Sequence, residues 1–306
     1  MPKEIEAYLS HIMPLFMQRG ISILEQRTID YGVQLRLSRP PDKAVVNIYH
    51  SARRGLSTVV GASQASPLKT ELESLLLGEI TPAVELDMHN WQSWIGSDEC
   101  GKGDYFGPLI VTAFYLRREQ APQLKAMGVC DSKALRDESL LKIAPKLYSS
   151  FPGQFSSLIL KPTKYNELIS RFQNQKLNLN DLMAWAHATV IGELIDKIPH
   201  VEGVLIDQFS KAQKVKARLA PKYPKLNILE RTQAERDLAV AAASILSRYQ
   251  FVTIRREMDE FYQMELPLGA SNTVIKAGKA FASKYGKARL GEVAKLHFKT
   301  SLKVLG

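Results

Sequence analysis

Residues 93–116 read SWIGSDECGKGDYFGPLIVTAFYL, two apolar runs on either side of a glycine-rich turn. The runs 93–99 and 109–116 each predict a β-strand, and the glycines between them predict a tight connection. Asp98 and Glu99 end the first strand directly before that turn. Adjacent strand residues point to opposite faces, so both carboxylates reach one site only where the strand gives way to the turn.

Downstream of this hairpin, predicted strands alternate with predicted helices. Short strands are predicted at 157–160, 203–207 and 227–231. Helices are predicted near 138–149, over 179–198 and over 235–261. This alternation indicates an α/β domain with a mixed sheet, which we place at 90–306.

Upstream of the hairpin, residues 1–85 predict a small α+β domain. Alternating apolar and polar residues predict antiparallel strands at 31–38, 43–50 and 56–62, followed by a helix at 66–78 that ends at Gly78. Basic side chains cluster on these strands and their turns: Arg36, Arg39, Lys43, Arg53 and Arg54. Such a sheet face either contacts phosphate or is simply solvated, and the sequence leaves both interpretations open.

Composition narrows the class of protein. The 306-residue chain is 45% hydrophobic, which argues against global disorder, and its net charge of +10 favours an anionic partner such as nucleic acid. Its two cysteines, Cys100 and Cys130, lack metal-site spacing and indicate reduced thiols. No apolar run approaches the roughly 20 residues that span a bilayer. We therefore expect a cytoplasmic protein without a membrane anchor.

The acidic residues suggest a metal site. Asp207 directly follows the apolar segment GVLI, at the carboxyl end of a strand, where open α/β sheets place their sites. Carboxylates from neighbouring strand ends, without a His or Cys cluster, favour Mg²⁺ or Mn²⁺. A fourth acid is expected at the start of the long helix, where Glu235 and Asp237 are both candidates. Either of these two residues could instead serve only the helix N-terminus.

Several other polar residues are weaker candidates. The turn GKGDYFG matches neither the dinucleotide-binding nor the P-loop glycine pattern. Its glycines either allow close approach of a ligand, with Lys102 free to meet phosphate, or form a plain hairpin turn. Ser132 and Lys133 lie in a loop before a helix, which suits anion binding or capping. His187 lies in mid-helix without an evident ligand partner, and we interpret it as structural.

The C-terminal stretch is strongly basic. Such a face is either simply solvated or, next to a metal site, a track for a nucleic-acid backbone. Between 269 and 306 only one acid, Glu292, accompanies the following basic residues: Lys276, Lys279, Lys284, Lys287, Arg289, Lys295, Lys299 and Lys303.

Taken together, these segments resemble the type 2 ribonucleases H, and specifically the bacterial ribonuclease HIII branch. The matching segments occur in family order: SDECGKGDYFGPLIV (97–111), CDSKAL (130–135), NLNDLMAWAHA (178–188), GVLIDQF (203–209), QAERDLAVAAASILSRY (233–249), LPLGAS (266–271) and VAKLHFKT (293–300). Residues 1–85 resemble the TATA-box-binding-protein-like, substrate-binding domain that precedes the catalytic domain in ribonuclease HIII.

The resemblance implies a fold, an activity and a set of site residues. The implied fold is a ribonuclease H-like mixed sheet flanked by helices, preceded by a small α+β domain with an antiparallel sheet. The implied enzyme is a monomer that cleaves the RNA strand of RNA–DNA hybrids and leaves 5′-phosphate and 3′-hydroxyl ends.

The family pattern also implies a four-acid site that uses two Mg²⁺ or Mn²⁺ ions. Asp98, Glu99 and Asp207 match the first three acids. The fourth is Glu235 or Asp237, because the spacing here is one residue shorter than the usual pattern. Nucleic-acid contacts are implied for the following residues: Gly101, Lys102, Gly103, Ser132 and Lys133.

Three alternative functions remain open from the sequence. A non-catalytic protein that binds RNA or the hybrid would have little use for clustered carboxylates near phosphates. A phosphoryl-transfer enzyme acting on small nucleotides would not need the basic C-terminal stretch or a second domain. Excision of single ribonucleotides from duplex DNA, as by ribonuclease HII, is the alternative within the family.

Overall fold

Alternating side chains build the four-stranded sheet of the N-terminal part of the protein. The computed structural model describes residues 2–51, 55–61, 66–79, 88–130, 135, 137–210 and 212–306, and its contacts divide the chain into two compact units, Met1–Ala83 and Val84–Gly306. The first unit comprises α1 (Lys3–Gln18), β1 (Ser22–Ile29), β2 (Gly32–Arg39), β3 (Asp42–Ser51), β4 (Gly55–Gly61) and α2 (Pro67–Glu79). The strands form an antiparallel sheet in sequence order.

One face of this sheet is buried and the other is open. Val33, Leu35 and Leu37 on β2 are at most 1% exposed and belong to one apolar cluster with residues of α1 and α2. Arg36 lies between them on the opposite face and pairs with Glu25 at 3.0 Å. The helix α1 and the strand β1 were not predicted from the sequence, and α2 continues through Gly78 instead of ending there.

The second unit contains the mixed sheet. Its strands are β5 (Ser93–Cys100), β6 (Leu109–Arg117), β7 (Phe155–Leu160), β8 (Gly203–Asp207) and β9 (Asn227–Arg231). Its helices are α3 (Ala121–Ala126), α4 (Asp137–Ser150), α5 (Pro162–Asn174), α6 (Leu179–Ile195), α7 (Lys214–Leu219), α8 (Leu238–Phe261), α9 (Asn272–Tyr285) and α10 (Lys299–Leu305). The strand order is β7-β6-β5-β8-β9, with β5–β8 and β8–β9 parallel and the other pairs antiparallel.

Helices cover both faces of this sheet. On β5, the side chain of Ile95 packs in the cluster that contains α6, and the side chain of Trp94 packs in the cluster that contains α8. Helix α8 packs closely against β5 at Gly96. A Cβ atom at this position would lie only 2.2 Å from the backbone nitrogen of Val240, so the close contact depends on the glycine. The predicted mixed sheet flanked by helices, with a smaller antiparallel sheet before it, is confirmed.

The C-terminal helices pack around the glycine-rich turn. Tyr105 and Phe106 of this turn are fully buried in a cluster with residues of α9 and α10. Across the described ranges, no helix is long and apolar enough to cross a membrane.

Candidate active site

Two of the predicted acids lie at the same edge of the mixed sheet. The last registered pair of the parallel strands β5 and β8 is Ser97 with Ile206. Asp98 and Asp207 are the next residues on their respective strands. Because parallel strands end at a common edge, the structure brings these carboxylates to the carboxyl edge of the sheet, where open α/β folds bind ligands.

The Asp98 carboxylate is buried and lies beside a second acid. Its Oδ1 accepts a hydrogen bond from the backbone N–H of Glu99 at 2.8 Å, and the side chain of Ser244 on α8 is a further partner. Burial and the neighbouring Glu99 charge raise the pKa of Asp98 to about 6, although these hydrogen bonds oppose the shift. An opposing positive charge would therefore stabilise this group strongly.

Each oxygen of the Glu99 carboxylate has a nitrogen partner. Lys102 Nζ lies 3.4 Å from Oε1, and His187 Nε2 lies 3.3 Å from Oε2. Burial alone would raise the pKa of Glu99, but His187 and Lys102 together hold it below its ordinary value. Glu99 therefore loses its proton at a lower pH than Asp98 does.

Asp207 is tied to the segment that carries Glu235. Its Oδ1 accepts a hydrogen bond from the backbone N–H of Ala234 at 3.1 Å. Ala234 begins a 3₁₀ turn, Ala234–Arg236, that leads toward α8. Glu235 is thus held next to a residue that contacts Asp207 directly.

The donor chemistry of these acids fits a hard divalent cation. Asp98, Glu99 and Asp207 supply only oxygen ligands, and the raised pKa of Asp98 reflects a buried negative pair that a cation would neutralise. The residues that the structure describes contain no group of three His, Cys, Asp or Glu side chains already gathered around one point.

The glycine-rich turn is packed against residues that follow it in the chain. Gly101 has φ +88°, and a Cβ there would lie 2.2 Å from the carbonyl oxygen of Pro108. Gly103 differs, because it is exposed and nothing lies within 4 Å of its Cβ position. The fully buried Lys295 donates from Nζ to the carbonyl oxygens of Asp104 and Gly107, both at 2.7 Å.

Comparison with known proteins decides the family. The family model described as Ribonuclease HII matches residues 95–301. A protein named Ribonuclease HIII from Protochlamydia amoebophila (strain UWE25) is 38% identical over 255 residues, which are 82% of this chain and 81% of that protein. Another Ribonuclease HIII, from Bacillus thuringiensis subsp. konkukian (strain 97-27), is 44% identical over 211 residues, 67% of this chain and 66% of that protein. This chain belongs to the ribonuclease HIII family.

Solved structures of ribonuclease HIII agree with this assignment. Bst-RNase HIII in complex with Mn²⁺ is 27% identical, with a TM-score of 0.62 over 96% of this chain and 95% of that chain. The Aquifex aeolicus RNase H3 shares the fold at 22% identity, with a TM-score of 0.53 over 98% of both chains. The predicted activity, hydrolysis of the RNA strand of RNA–DNA hybrids, is confirmed at the level of the family.

The two candidates for the fourth ribonuclease HIII acid lie in different surroundings. Asp237 is 1% exposed and caps α8, where its Oδ1 accepts from the N–H groups of Ala239 and Val240. The same oxygen accepts from Nε1 of Trp94, four residues before Asp98 on β5. Asp237 therefore contacts β5 through the side chain of Trp94, before the carboxyl end of the strand, whereas Glu235 lies beside the Ala234–Asp207 contact.

The predicted nucleic-acid contacts of ribonuclease HIII are only partly described. Lys102 is 30% exposed, and its Nζ lies 5.0 Å from the centre of the Phe209 ring. Ser132 and Lys133 lie outside the described residues, so their predicted role stays a prediction. The exposed part of the predicted basic track contains the following residues: Lys276, Lys279, Lys284, Lys287, Arg289, Lys299 and Lys303.

The sequence interpretation of Lys295 needs correction. Lys295 was predicted to belong to the basic track, but it is fully buried and supports the glycine-rich turn. His187, interpreted as structural, is fully buried, and both of its ring nitrogens have polar partners within the protein, Ser97 and Glu99. The available signal was a histidine on the apolar face of α6, because a buried imidazole needs hydrogen-bond partners.

Proposed function

We propose that Asp98, Glu99, Asp207 and Glu235 form the metal-binding site of this ribonuclease H. The observation that carries the proposal is the buried Asp98–Glu99 pair beside Asp207, in which the pKa of Asp98 is raised to about 6. Two ions, Mg²⁺ or Mn²⁺, would be held there during catalysis. Bound divalent ions of this kind activate an attacking water and stabilise charge at the scissile phosphate.

The chain's own groups orient the carboxylates. The N–H of Glu99 and the side chain of Ser244 fix Asp98, and the N–H of Ala234 fixes Asp207. These donors lie on the sheet, on its covering helix and in the 3₁₀ turn before that helix, so they restrict the positions that the Asp98 and Asp207 oxygens can take. Fixed groups of this kind favour the transition state because they need little reorganisation during the reaction. The expected products carry 5′-phosphate and 3′-hydroxyl ends.

The glycine-rich turn is proposed to recognise the hybrid. Gly101, Lys102 and Gly103 would present backbone groups to the minor groove, where 2′-hydroxyls distinguish RNA from DNA. Lys102, together with Ser132 and Lys133, would contact backbone phosphates. The exposure of Gly103, without a neighbour near its Cβ position, supports this role because no contact within the protein requires a glycine there.

The first unit is proposed to be a TATA-box-binding-protein-like domain that raises affinity for the hybrid. The open face of its sheet and the structural match over nearly the whole chain support this role. Two of its arginines are already paired, Arg36 with Glu25 and Arg39 with Glu71 at 2.7 Å. Binding would therefore have to exchange these ion pairs for phosphate contacts. The enzyme is further proposed to act as a monomer in the cytoplasm, and sedimentation of the purified protein tests the monomer.

Cleavage of two end-labelled duplexes, each with Mg²⁺ or Mn²⁺, tests the proposed function. One duplex is a full RNA–DNA hybrid, and the other is DNA with a single embedded ribonucleotide. We expect cuts at several RNA positions of the hybrid only. Efficient cutting at the lone ribonucleotide would instead indicate activity like that of ribonuclease HII, and tight binding without cutting would indicate a binding protein.

A further inference from the structure

A chain of hydrogen bonds runs from the core of the sheet to the Glu99 carboxylate. Ser97 Oγ lies 2.9 Å from the carbonyl oxygen of Thr112 and 2.8 Å from Nδ1 of His187. On the other side of the imidazole, Nε2 lies 3.3 Å from Oε2 of Glu99. His187 therefore joins a main-chain carbonyl of β6 to one of the proposed metal ligands.

The direction of the hydrogen bond to Glu99 follows from its acceptor. An ionised carboxylate oxygen only accepts, so in this hydrogen bond Nε2 of His187 is the donor. At the other ring nitrogen, the Ser97 hydroxyl can pair with Nδ1 as donor or as acceptor, and it holds the ring in either case. His187 thus presents a donor to Oε2 of Glu99.

The position of the imidazole ring is strongly constrained. His187 is fully buried on α6 and stacks on Phe209, with ring centroids 5.2 Å apart and an interplanar angle of 17°. The stacked ring and the Ser97 hydrogen bond together restrict rotation of the imidazole. A fixed donor of this kind selects one orientation of the Glu99 carboxylate.

We propose that His187 is a positioning residue, which holds Oε2 of Glu99 so that Oε1 faces the metal side of the site. This inference rests on the proposed function, in which Glu99 is a metal ligand. Oε1 is the oxygen near Lys102, whose side chain is 30% exposed and so lies at the open side of the site. Partners that orient metal-binding carboxylates in this way commonly affect metal affinity by about 10- to 100-fold.

Two substitutions separate the two ends of the imidazole. In His187→Asn, the side-chain amide lies at about the depth of Nδ1, so it can keep the Ser97 hydrogen bond but cannot reach Glu99. In His187→Gln, the longer side chain brings an amide donor to the depth of Nε2. Val190→Ala is the matched control, because Val190 is a buried apolar residue of the same helix and packs in the apolar cluster on that face of the sheet.

The measurement is calorimetric titration of the full-length protein with Mn²⁺ alone, without nucleic acid. We expect His187→Asn to weaken Mn²⁺ binding by about tenfold or more, and His187→Gln to restore most of that loss. Val190→Ala should lower the melting temperature without changing Mn²⁺ affinity. Equal Mn²⁺ affinity in the wild type and His187→Asn, or equal losses in the Asn and Gln variants, would overturn the proposal.

Two further readouts keep the test decisive. If His187→Asn does not fold, Ser97→Ala removes the hydroxyl that fixes the ring, and its Mn²⁺ affinity should fall by a few-fold; no change there would also overturn the proposal. In hybrid cleavage, His187→Asn should lower kcat while KM for the hybrid stays near the wild-type value. A wild-type protein that binds no Mn²⁺ would contradict the proposed metal site itself, which is a different failure from an unaffected His187 variant.

Discussion

Nε1 of Trp94 donates a hydrogen bond to Oδ1 of Asp237 across 3.0 Å, inside the layer between β5 and α8. Oδ1 of Asp237 also accepts from Ala239 N–H at 2.8 Å and from Val240 N–H at 3.1 Å. One oxygen therefore caps the helix and anchors the indole. These contacts give Asp237 a structural role in the core and leave Glu235 as the proposed fourth acid.

Substitution of Glu235 should affect cleavage, whereas substitution of Asp237 should affect stability. Glu235→Gln should reduce hybrid cleavage by more than about 100-fold, because loss of a metal ligand should cost more than loss of a residue that only orients one. The melting temperature should stay nearly unchanged. Asp237→Ala should destabilise the protein by at least about 2 kcal/mol, because it removes a helix cap and leaves a buried indole N–H unpaired. Denaturant unfolding and single-turnover cleavage measure the two effects. Normal cleavage by Glu235→Gln would contradict the assignment.

Substitutions of two glycines in the turn should have different effects, one on protein stability and the other on affinity for the hybrid. Gly101→Ala should lower stability, since its Cβ would lie 2.2 Å from the carbonyl oxygen of Pro108. Gly103→Ala should leave the melting temperature and Mn²⁺ affinity unchanged, because its Cβ position is open. We expect this second variant to bind the hybrid about tenfold more weakly, or 1.4 kcal/mol. Unchanged hybrid affinity in Gly103→Ala would argue against close approach of the substrate at that residue.

Lys295 should make stability depend on pH. Burial lowers the pKa of Lys295 to about 7, although the nearby Asp104 carboxylate opposes the shift. Between this value and the higher pKa of the unfolded chain, the unfolded state binds more protons, so stability rises with pH. From about pH 7 to pH 9, the wild type should gain about 2 kcal/mol relative to Lys295→Met. Urea unfolding of both proteins at each pH measures this difference.

The exposed Lys303 supplies the control for that experiment. Lys303→Met removes a positive charge from the same C-terminal region without emptying a buried position. The stability difference between the wild type and Lys303→Met should stay constant over the same pH range. If the stability difference between the wild type and Lys295→Met were also constant over this pH range, folding would not change the protonation of Lys295, and the prediction would be wrong.

Local sequence patterns were sufficient for the central sheet but not for every site residue. The segments GVLID and NILER are strands at the predicted bounds, Gly203–Asp207 and Asn227–Arg231, because an apolar run between breakers has few alternatives. Strand β1 was missed because SILEQRTI is exposed along nearly its whole length and so lacks a clear buried face. Its presence depends on pairing with β2, which the segment itself does not reveal.

The contacts of His187 and Lys295 could not be predicted from local sequence patterns, for a different reason. His187 meets Glu99 from 88 positions away, and Lys295 meets Gly107 from 188 positions away. Such contacts depend on the tertiary fold, and a buried polar residue reveals only that it needs some partner. In the same way, the choice between Glu235 and Asp237 depends on which end of β5 the start of α8 contacts.

The central claim is that the buried acids at the sheet edge cleave the RNA strand and are not needed to bind it. Cleavage and binding of one labelled RNA–DNA hybrid by the wild type and Asp98→Asn, with Mn²⁺ present, test this claim most directly. We predict that Asp98→Asn binds the hybrid within a few-fold of the wild type and folds at least as stably, since the substitution removes carboxylate repulsion, while RNA cleavage falls by more than about 100-fold. Near-normal cleavage by Asp98→Asn would contradict the account.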